Sequence, residues 1–187
     1  GWHVTDEGFK GSFSSPSQAA RAGVGIIAGD RAMKGILSQL PIVDNVLDAR
    51  RVREGRQIVG AAERQECLDL VSALKLKAGS IWDLPASLSG GNQQKLIVAR
   101  WLGLPLRLVV LEEPTRGVDV GSIEFIHRRI VDARDAGAAV LLVSAELDEI
   151  LSLSDRIAVV HGGKVVAEMP GRGADRTEIG RLMAGDH

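Results

Sequence analysis

The stretch Leu88-Ser89-Gly90-Gly91-Asn92-Gln93-Gln94-Lys95 sets a pair of glycines at the mouth of a helix. A helix start leaves backbone N–H groups without intrahelical partners and carries a partial positive charge, so it attracts anions, phosphate above all. Ser89 can cap the helix and offer its hydroxyl, while Gly90 and Gly91 put no side chain between their amides and an incoming phosphoryl group. From Gln93 onward the pattern is helical, with Ile97 and Trp101 at i, i+4 and Leu96 and Ala99 at i, i+3. Taken alone, Ser-Gly-Gly reads first as a plain turn capping a core helix. Its surroundings change the weighing.

Downstream, residues 108–111 form the apolar run LVVL, expected of a strand covered on both faces of a parallel sheet. Glu112 and Glu113 follow directly before Pro114, at the carboxyl edge of the sheet, where such folds bind ligands. The spacing predicts a helix over 120–137 with Ile123, Ile126 and Ile130 inward, then a second buried strand over 140–143. Strand, helix, strand at these lengths is a parallel crossover unit, so the core is α/β. Upstream, Ser14, Ser15 and Pro16 open a short helix stopped by Gly23, and 24–28 is another buried strand. Residues 1–13 are expected to be extended or irregular. From about Lys34 to Leu104 the pattern is helical, with Pro41 starting one helix and Cys67, Leu70, Val71 and Leu74 on one face of another. Farther on, 146–154 reads as a short helix, 156–169 as a hairpin turning at Gly162 and Gly163, and 174–184 as a closing helix.

LSGGNQQK with its helix, the strand ending in EEPT, and then RGVD together resemble the ATP-binding cassette (ABC) ATPases. Within them the chain is similar to the second cassette of tandem-cassette importers of ribose, galactose or xylose type and their nucleoside-importing relatives. The resemblance runs from about Ser14 to about Glu168. It implies a P-loop NTPase α/β core, residues 1–33 and 105–187, with an inserted helical signature subdomain, residues 34–104. It also implies ATP and Mg2+ as cofactors, with Ser89, Gly90, Gly91 and Gln93 serving nucleotide held by an opposite cassette. Glu113 matches the catalytic glutamate, and Asp119 the Asp of the D-loop; by itself Asp119 would cap the next helix, and both can hold. Three positions depart from the pattern. Glu112 stands where the family has a magnesium-binding Asp, Gly29 where the glutamine loop has Gln or Glu, and Ala145 where most members have the switch histidine. The longer acid is expected to weaken metal binding, and a methyl group cannot donate a hydrogen bond to phosphate. The phosphate loop GxxxxGK[ST] is absent from these 187 residues and would precede Gly1, so the fold is expected to be incomplete at its N-terminus and this chain alone inactive as an ATP hydrolase.

The resemblance further implies a second cassette in the same chain or a dimer, transmembrane permease subunits, a solute-binding protein reached indirectly, and a place on the cytoplasmic face of the membrane. A sugar is favoured over a nucleoside as cargo. A net charge of −1 gives no electrostatic reason to expect nucleic acid, and the arginines 50, 51, 53 and 56, broken by Glu54, read as a solvated helix face. One cysteine excludes an internal disulfide. His127 and His161 lack a partner cluster and read as structural or exposed. Two other readings remain open: a DNA-repair type ATPase head, which predicts flanking heptads that are not seen, and a non-catalytic remnant that supplies only the signature.

Overall fold

A computed structural model describes residues 12–29, 35–55, 60–102 and 104–185. The expectation for residues 1–11, Arg56, and the subdomain boundary near residue 33 lie outside them. Three apolar runs pair as one parallel sheet in the order β1 (Val24–Ile27), β2 (Leu108–Glu112), β3 (Ala139–Val143), with Val24 opposite Leu108 and Leu108 opposite Ala139. Ahead of β1, helix α1 (Pro16–Arg21) is capped by Ser15, whose side chain accepts from the Gln18 amide, with Pro16 in its first turn. Between β2 and β3 runs α5 (Val120–Asp135), burying Ile126 and Ile130 while Ile123 stays half-buried.

Among the described residues nothing covers the second face of the sheet, contrary to the expectation from its apolar runs. Side chains alternate along a strand, and Ile27, Val109 and Leu111 pack with Ile97, Val98 and Ile126 on one face. On the other, Ile26, Leu141 and Val143 remain 49%, 39% and 50% exposed. The reading of 140–143 as a buried strand is corrected accordingly: β3 alternates exposed and half-buried residues. An all-apolar run tells of strand propensity but not of which neighbour arrives on each side.

Helices α2 (Ile42–Glu54), α3 (Ala61–Ala73) and α4 (Gly90–Leu102), with a 3-10 turn at Pro85–Ser87, make up the helical part. No strand appears among the described residues 35–102. Helix α4 serves two cores: Leu96 and Ala99 join Ile42, Val46 and Cys67, while Ile97 and Val98 join the sheet. Its Trp101 lies over β1 at Gly25, where a Cβ would stand 3.0 Å from the indole. Burial is the main cause that pushes the Cys67 thiol up to about 11, as fits a core residue.

The arginines of α2 are not a solvated face. Arg50 pairs with Glu66 of α3, Arg51 with Asp44, and Arg53 donates to the Pro105 carbonyl at 2.8 Å. Packing α3 against α2 supplies an acid that the local sequence around Arg50 does not contain. Deeper in, the buried Arg100 donates to the Asn45 carbonyl (2.7 Å), the Gly35 carbonyl (2.7 Å) and Asn45 Oδ1 (2.8 Å). Desolvation pulls its pKa below the ordinary value.

Past β3, α6 (Leu147–Leu153) leads to the hairpin of β4 (Arg156–His161) and β5 (Lys164–Pro170). Gly162 and Gly163 turn it at φ 56° and 77°, the left-handed region that glycine enters without steric cost. Helix α7 (Arg176–Ala184) closes over it, packing Ile179 on Ile157 and Val159. Among the described residues no helix is long and apolar enough to cross a membrane.

Candidate nucleotide-facing site

Helix α4 begins at Gly90, three residues before its hydrophobic periodicity becomes visible, because glycines and amides carry no apolar signal. Ser89 and Gly90 are exposed and Gly91 is half-buried, so the helix mouth opens to solvent. Ser89 Oγ accepts from the Asn92 amide at 3.4 Å and from Asn92 Nδ2 at 3.0 Å. With its acceptor side so engaged, the hydroxyl keeps its proton as a donor. Asn92 Oδ1 in turn accepts from the Lys77 amide at 3.2 Å, tying the mouth to the loop after α3. Asn92 was missed in the sequence, although its Ser-x-x-Asn spacing is that of a cap reaching back to its helix start. Gln93 turns its amide inward, Nε2 donating to the carbonyls of Pro85 (3.1 Å) and Leu88 (3.3 Å). What Gln93 supplies in this arrangement is support for the loop beneath Ser89.

Asp119 stands beside the same mouth: a Cβ on Gly91 would be 3.2 Å from Asp119 Oδ2. Asp119 caps α5, accepting from Ser122 Oγ at 2.6 Å and from the Ser122 amide at 3.0 Å. The bond from the Ser122 hydroxyl, then that from its amide, with Lys95 adding a smaller pull, hold this carboxyl below the usual range. The cap reading of Asp119 is met in this geometry, and its carboxylate also stands beside the glycine pair.

At the carboxyl end of β2 the two acids are held by main-chain amides from the flanking strands. Glu112 is exposed, and its Oε2 accepts from the Gly29 N–H at 3.2 Å, just beyond β1. Glu113 Oε1 accepts from the Ala145 N–H at 2.9 Å, just beyond β3, while the Glu113 N–H donates to the Val143 carbonyl at 2.8 Å. Glu113 has φ 47°, a left-handed conformation uncommon for a residue with a side chain and concentrated at functional sites. Among the described residues no three of His, Cys, Asp and Glu gather as a metal-binding group. Glu112, exposed at the sheet edge and bonded to Gly29 through one oxygen, is the carboxylate that would hold Mg2+, which is usually held by one or two protein carboxylates while phosphate oxygens and water complete its shell.

Away from this edge, His127 is structural, as expected, but it does not lack a partner: its Nε2 lies 3.0 Å from Glu149 Oε1, which is buried on α6. The pair joins residues 22 apart, a separation that spacing rules do not reach. His161 Nδ1 lies 3.0 Å from the Met183 carbonyl on the exposed hairpin side.

Compared with known proteins, the chain is 51% identical over 156 residues to the ABC transporter ATP-binding protein y4mK of Sinorhizobium fredii, covering 83% of this chain and 31% of that protein. It is 39% identical to the ribose import ATP-binding protein RbsA of Geobacillus kaustophilus, covering 91% of this chain and 35% of the relative. To the guanosine import ATP-binding protein NupO of Bacillus subtilis it is 37% identical, covering 91% and 34%. The chain thus spans about a third of the length of the curated relatives it matches. No protein-family model matches it. Among solved structures, the ATP-binding cassette MJ0796 in its dimeric post-hydrolysis state with ADP and Pi superposes with a TM-score of 0.76 at 20% identity, covering 92% of this chain and 73% of that one.

Proposed function

The chain is a homologue of the ABC transporter ATP-binding proteins, and from that premise we propose that it is the signature-bearing part of an importer's ATPase cassette, coupling ATP hydrolysis to uptake of a sugar or a nucleoside. In this reading residues 34–104 are the signature subdomain and the rest belongs to the α/β core. The observation that carries it is the solvent-open mouth of α4, with Ser89 and Gly90 exposed and Asp119 alongside Gly91. Ser89 donates its hydroxyl proton, and the glycines their backbone approach, to the γ-phosphate of ATP held by a neighbouring cassette, a fixed donor set for charge that grows during transfer. Asn92 and Gln93 keep that mouth in shape. Glu112 fits Mg2+ brought in with the nucleotide, and Glu113 orients the attacking water. With Glu112, Ala145 and Gly29 at three family positions, hydrolysis at this cassette's own site is slow, and its main service is to the opposite site. Permease subunits at the cytoplasmic face of the membrane and a solute-binding protein complete the system.

The experiment is Ser89→Arg in the complete importer. Because Ser89 is exposed and its fold role is limited to the cap bonds from Asn92, the thermal midpoint falls by no more than the loss of one helix cap, while ATPase rate and transport fall by about two orders of magnitude, as for removal of one phosphate-facing donor set. Wild-type rates in this variant would mean that the mouth of α4 meets no nucleotide.

A further inference from the structure

Two of the departures from the family pattern, Gly29 and Glu112, touch each other. Glu112 Oε2 accepts from the Gly29 N–H at 3.2 Å. An added Cβ at position 29 would stand 3.1 Å from Glu112 Cγ, 3.3 Å from its Cδ and 3.3 Å from its main-chain oxygen. The acid lies back over the end of β1, close enough that a Cβ at 29 would make it give by a few tenths of an ångström. Gly29 has no positive φ, so its lack of a side chain answers a need for space and not for a special backbone angle.

We propose that Gly29 is a positioning residue for Glu112. The missing Cβ leaves room for the Cγ and Cδ of the acid, and the amide fixes one carboxylate oxygen. The second oxygen is then held at the sheet edge for a divalent cation arriving with nucleotide. A shorter Asp at 112 would end one carbon earlier and leave the Gly29 amide without this partner; a Cβ at 29 would press the glutamate off its seat by a few tenths of an ångström. The inference rests on the reading of this edge as a nucleotide site, but the pairing itself is a separate, measurable claim.

Gly29→Ala, Glu112→Ala and the double variant, made in the full-length protein, close a cycle with two readouts. In metal-free buffer, urea unfolding decides the pairing. Gly29→Ala lowers the midpoint when Glu112 is present and does so less beside Glu112→Ala, which removes the Cγ and Cδ that the new methyl group would meet; additive effects would overturn the pairing. With ATP present, Mn2+ binding followed by electron paramagnetic resonance decides the positioning. Gly29→Ala weakens Mn2+ by about tenfold with Glu112 in place, the usual scale for losing a group that orients a metal ligand, and by less than about threefold beside Glu112→Ala. Equal losses in the two backgrounds, or none in either, would overturn the positioning role even with the pairing intact. Failure of the unaltered protein to bind Mn2+ with ATP here would count against the nucleotide reading and the positioning role together, while the unfolding cycle would still decide the pair.

Discussion

A methyl group on Gly91 would meet Asp119 Oδ2 at 3.2 Å, and the Asp119 carboxylate is itself anchored twice by Ser122. Two effects therefore oppose each other in Gly91→Ala. In the first turn of α4, alanine in place of glycine stabilises by up to about 1 kcal/mol, while crowding of the anchored carboxylate removes a comparable amount. The expected outcome is a urea midpoint close to that of the unaltered protein for Gly91→Ala alone, and a clear gain when the same change is made in an Asp119→Ala background. Equal effects in both backgrounds would show that the two loops do not press on each other. Because Ser122 donors hold Asp119 below the usual carboxylate range, its stabilising contribution is present above the ordinary pKa and is lost as pH falls through the depressed one. The coupling with Gly91 is thus best measured near neutrality. At this scale the sequence was readable where chemistry is local: Ser89, the glycine pair and the Asp119 cap follow from neighbours within three residues. Asn92 holding Ser89 was within the same local reach and was missed, whereas the amides of Gly29 and Ala145 holding the two acids needed strands from distant parts of the chain to end side by side.

Among the elements, α4 carries the mouth of the candidate site at one end and Arg100 near the other, and Arg100 ties it to α2 through Asn45 and to the segment at Gly35. Asn45 is committed in the same way, accepting from the Leu37 amide and donating to the carbonyls of Leu37, Leu40 and Pro41. Arg100→Met would keep the length and the packing but remove three donated bonds, of which Asn45 Oδ1 would still keep the Leu37 amide as a donor. A buried hydrogen bond from a charged donor is worth about 1.5–3 kcal/mol and the three are less than additive, so a loss of about 3 kcal/mol is expected in urea unfolding. Arg100→Lys recovers only part of it, since one ammonium cannot reproduce a planar fork of donors. A midpoint unmoved by Arg100→Met would mean that apolar packing alone seats α4. Helix and strand identities were legible because periods of 3.6 and 2 are written in single segments, and the Gly162-Gly163 turn because positive φ selects glycine. The partners of the α2 arginines and of His127 were not legible, because Glu66 and Glu149 sit on other helices and pairing across elements leaves no periodic trace.

On the scale of the whole molecule, the outer face of the sheet sets an apolar row across all three strands. Ile26 is opposite Val110 and Val110 opposite Leu141, with Val143 two positions along from Leu141 on the same face. Ile26, Leu141 and Val143 are each more than a third exposed, and the net charge of −1 offers almost no mutual repulsion between molecules. Parallel sheets are ordinarily covered on both faces, so a chain of these 187 residues in isolation is expected to hide this row by self-association. Sedimentation velocity at about 0.1 mM, within the range where exposed apolar surface drives association, should show species heavier than the monomer. The double change Leu141→Lys and Val143→Lys should return the chain to a monomer while moving the thermal midpoint little, because both side chains already stand largely in water and Ile27, Val109 and Leu111 hold the other face. A monodisperse monomer before the change, or association that survives it, would place the adhesive surface elsewhere. Sequence reading could not find this row: the apolar residues of β2 and β3 look the same whether a layer covers them or not, and only the packing of α4 and α5 onto one face distinguishes the two sides.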